Sequence, residues 1–162
     1  MKVNQLALLC LFFCTPVWAL GTDREQPIEV EADSLEVHEQ DNISIYQGNV
    51  KLVQGSLQIH SDRLVIHFNQ QGELELMEMT GNPARFRQLD DDQLEMLGQA
   101  GQINFTESKD LLELRQNARF SHDGDVIESE SITINTVDNR IQAGSSNSDE
   151  RVKMLIKPKQ TP

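Results

Sequence analysis

The stretch Gly48-Asn49-Val50-Lys51-Leu52-Val53-Gln54-Gly55-Ser56-Leu57-Gln58-Ile59 settles the architecture of this chain. Val50 and Leu52 alternate with Lys51, and Leu57 and Ile59 flank Gln58. Gln54-Gly55-Ser56 between them is made of turn residues. Alternation with period two on both sides of a turn gives each of two strands one apolar and one polar face.

The same alternation continues in both directions. Upstream lie Ile28 and Val30, Leu35 and Val37, then Ile43 and Ile45. Downstream come Leu64, Ile66 and Phe68; Leu74 and Leu76; Ala84 and Phe86; Leu94 and Met96; and Ile103 and Phe105. Leu112 and Leu114, Ala118 and Phe120, Ile132 and Ile134, and finally Val152, Met154 and Ile156 complete the series. Polar turn signals separate the runs, among them Gln40-Asp41-Asn42, Asp90-Asp91-Asp92 and Ser108-Lys109-Asp110. No stretch after Ala19 carries the three-and-four apolar spacing of a helix. The chain is predicted to be all-β, with two antiparallel sheets closing their apolar faces on each other.

Two motifs recur in alternation. Gly48-Asn49, Gly81-Asn82 and Gln116-Asn117 each stand at what reads as the entry to a strand. Ala32-Asp33-Ser34-Leu35, Ser61-Asp62-Arg63-Leu64 and Ser129-Glu130-Ser131-Ile132 form the second set, and Ala100-Gly101-Gln102-Ile103 is a weaker copy. Repeats of this period mark supersecondary units that bury an apolar face only by stacking.

The chain's 162 residues suit one domain. With 26 acidic side chains against 14 basic ones, a net charge of −12 and a pI near 4.6, it lacks the basic footprint of a nucleic-acid binder. Residues 1–19 have the three-part layout of a secretory signal: Met1-Lys2, an apolar run to Phe13, and Val17-Trp18-Ala19 ahead of the cut. The apolar run is too short for a bilayer span, which takes about 20 residues. The domain is expected over 20–157, with a short tail at 158–162. Cys10 and Cys14 leave with the signal, so the exported chain folds without disulfides. Leu9 and Phe13 are too bulky for a lipidation site.

The inner face is mostly Leu, Ile and Val. It suits either a dry core or a trough for a foreign alkyl chain, since aliphatic walls place no orientational demand on an acyl group.

The segments Gln26-Pro27-Ile28-Glu29-Val30-Glu31-Ala32-Asp33, Tyr46-Gln47-Gly48-Asn49-Val50-Lys51-Leu52, Gln54 to Leu64, Gly81-Asn82-Pro83-Ala84-Arg85-Phe86 and the closing Arg151-Val152 strand resemble the OstA-like family of lipopolysaccharide-transport proteins. The resemblance covers nearly the whole exported chain. It implies a β-jellyroll folded like a taco shell around an apolar groove, in the periplasm of a Gram-negative bacterium. It further implies copies stacked head to tail. These bridge an inner-membrane-anchored relative of the same fold (LptC-like) to the N-terminal domain of the outer-membrane translocon (LptD-like). Lipopolysaccharide moves along the groove with its lipid A acyl chains inside.

Carried over by position, Ile28 and Val30 belong to the lipid-facing wall, with Phe68, Phe86 and Phe105 deeper. Alternation alone puts Leu35, Val37, Val50, Leu52, Leu57, Ile59, Leu64, Ile66, Leu114, Phe120, Ile132 and Ile134 on the same side. The strand holding Ile28 and Val30, and the one holding Arg151, Val152, Lys153, Met154 and Ile156, are the expected assembly edges. The acidic charge disfavours long-range attraction of lipid phosphates. Acyl burial is therefore expected to dominate, with affinity unchanged or improved by added salt, and no residue is assigned to the head group.

Catalytic and metal readings find little support. His38, His60, His67 and His122 lack paired ligand spacing, and His60 and His67 read as outward-facing. Asp90-Asp91-Asp92 and His122-Asp123-Gly124-Asp125 read as solvated turns. No nucleophile elbow, phosphate loop or dinucleotide fingerprint occurs. The chain is expected to be no enzyme and to need no cofactor. The alternative, a periplasmic carbohydrate-binding jellyroll, wants aromatic platforms, and Tyr46 stands alone once Trp18 is removed.

Overall fold

The computed structural model describes residues 23–138, 140–144 and 151–158. The signal segment 1–19, residues 20–22 and most of the tail lie outside them. After a 3-10 turn at Asp23–Glu25 come ten strands: β1 (Glu29–Glu31), β2 (Ser34–His38), β3 (Ile43–Gln54), β4 (Leu57–Phe68) and β5 (Leu74–Leu89), then β6 (Glu95–Thr106), β7 (Leu111–His122), β8 (Asp125–Asn135), β9 (Arg140–Ala143) and β10 (Lys153–Leu155).

All ten join one antiparallel sheet. Strands β3 to β8 form a meander; β1 and β2 share β3 at one edge, and β9 and β10 share β8 at the other. Among the described residues nothing but this sheet is available to cover its apolar face, yet Leu52, Leu64, Ile103 and Leu114 are fully buried. The sheet therefore folds back on itself, and the two sheets expected from the sequence are leaves of one.

The fold line is written in the repeated motifs. Residues 48–49 of β3, 81–83 of β5 and 116–117 of β7 stand as extra residues in the ladder, between pairs such as Gln47 with Arg63 and Val50 with Ser61. Extra residues on one strand bend it and sharpen its twist. Gly48, Asn49, Gln116 and Asn117 take left-handed backbone angles there. Asp33, the acid of the second motif, accepts a bond from Asn49 Nδ2 at 2.8 Å. Its own N–H donates to the Gly48 carbonyl at 2.9 Å. The Gly/Gln-Asn step, expected at strand entries, thus sits in mid-strand. Two apolar runs that look separate, such as Ile43–Ile45 and Val50–Leu52, are halves of one long bent strand.

One leaf comprises β1, the C-terminal halves of β3, β5 and β7, the N-terminal halves of β4, β6 and β8, and β10. The other holds β2, β9 and the remaining halves. Small side chains line the inside of the crease: Ala84 opposite Ala100, and Ala118 opposite Ser129. These alanines are buried, and their size lets the leaves converge. The pairing Leu74/Leu76 is corrected in part. Leu74 packs on the core, but Leu76 falls in the outer row opposite His67 and Thr106, and Met77 and Met79 point inward instead. An irregularity between His67 and Phe68 shifts the register there.

Candidate lipid-binding interior

Cross-strand register turns the inner face into continuous apolar rows. On the β2 leaf one row runs Leu35, Tyr46, Leu64, Met79, Ile103, Leu114, Ile132, Ala143. On the β1 leaf another runs Val30, Leu52, Ile59, Phe86, Gly98, Phe120, Ile127, Met154. Mid-row residues such as Leu64 and Leu114 are 0 % exposed, whereas Leu35 at one edge is 55 % and Met154 at the other 57 % exposed. Each row is covered along its middle; the first emerges at Leu35 and the second at Met154, while the opposite ends, Ala143 and Val30, stay half-buried.

Of the residues expected on the lipid-facing wall, Val50, Leu52, Ile59, Leu64, Ile66, Phe86, Leu114, Phe120, Ile132 and Ile134 are buried in one cluster. Val30, Leu57, Phe68 and Phe105 are half-buried against it. Ile28, Leu35 and Val37 are exposed, since among the described residues no further strand lies beyond β1 and β2 to cover them. Met77, Met79, Ile103, Tyr46 and Gly98 belong to the same interior and were not among the expected wall residues. Met77-Glu78-Met79 does alternate, and that signal could have found the first two.

Polar contacts fix the free rim of the β1 leaf. Asp23 accepts from Ser56 N at 2.8 Å, Ser56 Oγ at 2.6 Å and Gln88 Nε2 at 3.1 Å. Burial pushes the Asp23 carboxyl up, but the bonds from Ser56 and Gln88 together outweigh it and hold the group below the usual carboxylate value. Asp90 is held low first by the side-chain bond from His122, at 2.6 Å, and then by Leu94 N–H. His67 likewise meets one carboxylate, Glu78, at 2.8 Å. Among the described residues no three His, Cys, Asp or Glu side chains converge as a metal site.

A single antiparallel sheet, creased along aligned bulges so that its apolar face is folded inside and open at two edges, defines the taco-shaped β-jellyroll class. Residues 29–140 match the family described as LptA/(LptD N-terminal domain) LPS transport protein, and the chain belongs to that family. It is 31 % identical over 167 residues to the lipopolysaccharide export system protein LptA of Escherichia coli, covering 98 % of this chain and 89 % of that one. It is 29 % identical over 150 residues to LptH of Pseudomonas aeruginosa, covering 87 % and 85 % respectively. The crystal structure of that LptH, the LptA-homologous periplasmic component of the lipopolysaccharide transport device, superposes with a TM-score of 0.77. The match covers 85 % of this chain and all of the other at 27 % identity.

Proposed function

We propose that this protein is a periplasmic lipopolysaccharide-transport bridge. Its acyl-chain path is the inner face of the folded sheet, and its copies join edge to edge. The observation that carries this reading is the pair of apolar rows that run from one sheet edge to the other, one surfacing at the β2 edge on Leu35 and the other at the β10 edge on Met154. An ordinary sandwich core has no reason to surface at its two ends.

Each acyl methylene taken from water is worth about 0.8 kcal/mol, so releasing several chains into the periplasm at each step is prohibitive. A wall continuous from copy to copy removes that exposure. The interior side chains pack on one another, so an acyl chain enters by parting the leaves about the crease. Aliphatic walls with few aromatic rings allow sliding.

The edges support head-to-tail order. Glu29 and Glu31 lie on β1 and Arg151, Lys153 and Lys157 on or beside β10, so the two ends carry opposite charge. In such a stack one end meets the inner-membrane-anchored relative and the other the translocon domain. Residues 20–157 form the working domain, residues 1–19 its export signal, and the role is non-catalytic.

Competition binding tests the reading against a carbohydrate-binding jellyroll. Intact lipopolysaccharide displaces a fluorescent acyl probe from the exported chain, and chemically deacylated lipopolysaccharide does not. Equal displacement by both would overturn it.

A further inference from the structure

Although the chain is strongly acidic, arginines far apart in sequence meet on the outer surface of the β1 leaf. Arg85 and Arg87 leave β5 on the side opposite Phe86, and Arg119 leaves β7 opposite Phe120. With Gln58, His60, Gln99 and Ser121, and with Phe86, Leu97 and Gly98 as its apolar part, they line a concavity of about 370 Å³ that has no carboxylate in its lining. A neighbouring concavity of about 500 Å³ toward β8 shares Gln99 and Arg119 and adds Arg151 and Lys153, with Glu128 as the carboxylate of its lining.

The guanidinium groups keep donors to spare. Glu95 engages Nε of Arg87, at 2.5 Å, and Glu128 a terminal nitrogen of Arg119, while an arginine fork carries five N–H donors. Among the described residues no carboxylate pairs with Arg85. These two ion pairs steady the forks without consuming them. Arg85 and Arg119 stand two strands apart, about 10 Å at the backbone given the spacing of strands. An arginine fork matches the oxygens of a phosphoryl group better than it matches any neutral ligand. The amides of Gln58 and Gln99 between them offer both donors and acceptors, which suit hydroxyls.

We propose that this outer concavity is a binding site for a phosphorylated sugar, centred on Arg85, Arg87 and Arg119 and separate from the apolar interior. Two sources share that chemistry: the head of a glycolipid and a soluble sugar phosphate. The first of these rests on the transport reading above; the site itself rests on its own geometry. Fixed positive charge on one leaf supplies what the net charge withholds, a local attraction for phosphate.

Side-chain Nε–Hε resonances of Arg85, Arg87 and Arg119 in the exported chain test it, with glucose 6-phosphate, glucose, intact lipopolysaccharide and deacylated lipopolysaccharide as probes. Glucose 6-phosphate is expected to shift all three saturably and glucose to shift none. The double variant Arg85→Gln/Arg119→Gln weakens the binding about tenfold or more, since each loses a charge-assisted bond. Arg85→Lys recovers part of it, and added salt weakens it. Both side chains project from the surface, and circular dichroism checks that the variants fold. Shifts with both lipopolysaccharide forms identify the lipid head as the source; shifts with glucose 6-phosphate alone identify a soluble ligand. No saturable shift with any phosphorylated probe, or equal shifts with glucose, overturns the proposal. Failure of acyl-probe displacement would count against the transport reading and leave this site standing.

Discussion

Phe86 lies directly over Gly98. A Cβ added at Gly98 comes within 1.9 Å of the Phe86 ring carbon Cε1. The ring is 6 % exposed and tilts 31° against Phe120, with centroids 6.4 Å apart, so it yields only by disturbing that packing. The absent side chain on β6 is thus what lets an aromatic ring lie across the inner face of the β1 leaf. Gly98→Ala is expected to cost about 1–3 kcal/mol, the usual range for overpacking a core. Shortening the ring in the double variant Gly98→Ala/Phe86→Leu should recover part of that loss. Urea unfolding measures both, and an additive pair of losses would contradict the contact.

The crease makes a second demand. Gly48 has φ +81°, and a Cβ there would lie 2.3 Å from Asp33 Oδ2. Gly48→Ala therefore combines a left-handed backbone, about 1–2 kcal/mol for a residue with a Cβ, with a collision against the acid that bonds Asn49. Unfolding free energies should fall by at least this much. An unchanged midpoint would mean that the bulge is not needed for the bend.

Much of this was legible in the sequence. Alternation such as Val50-Lys51-Leu52 assigned the strands and the inner face, because one buried face leaves a period-two record. The motif repeat was visible, but not its meaning. Gly48-Asn49 resembles a turn signal, since a bulge and a turn both call for left-handed residues, and only long-range pairing tells them apart. Leu76 misled for a related reason: one irregularity between the pairs Phe68–Leu74 and His67–Leu76 puts Leu74 and Leu76, two residues apart, on opposite faces. The gathering of Arg85, Arg87 and Arg119 is a matter of register between β5 and β7, which a single sequence does not print.

Acid should loosen the rim of the β1 leaf. The Asp23 carboxyl is lower in the folded chain than in the unfolded one, so its contribution is fully present above the ordinary carboxylate value of about 4 and is lost as pH falls through the folded value. Asp23→Asn should lower the Tm at neutral pH and flatten the fall in Tm below about pH 4. A variant whose acid limb matches the parent chain would contradict the assigned bonds.

Opposite charges at the two edges yield an assembly prediction. Removal of residues 151–162 should leave monomers by light scattering. Lys153→Glu and Glu31→Lys should each weaken association, and mixing the two variants should restore heterologous contacts through one surviving edge pair. Unchanged oligomer size in the truncated chain would contradict edge-to-edge joining.

Photo-crosslinking to intact lipopolysaccharide from p-benzoylphenylalanine placed at Phe86, Phe105 or Thr80 tests the acyl path most directly. Phe86 and Phe105 lie on the inner face and Thr80 is exposed on the outer row. Adducts at both inner positions and none at Thr80 are the predicted result. Adducts at Thr80 with the inner positions silent would place the lipid on the wrong side of the sheet.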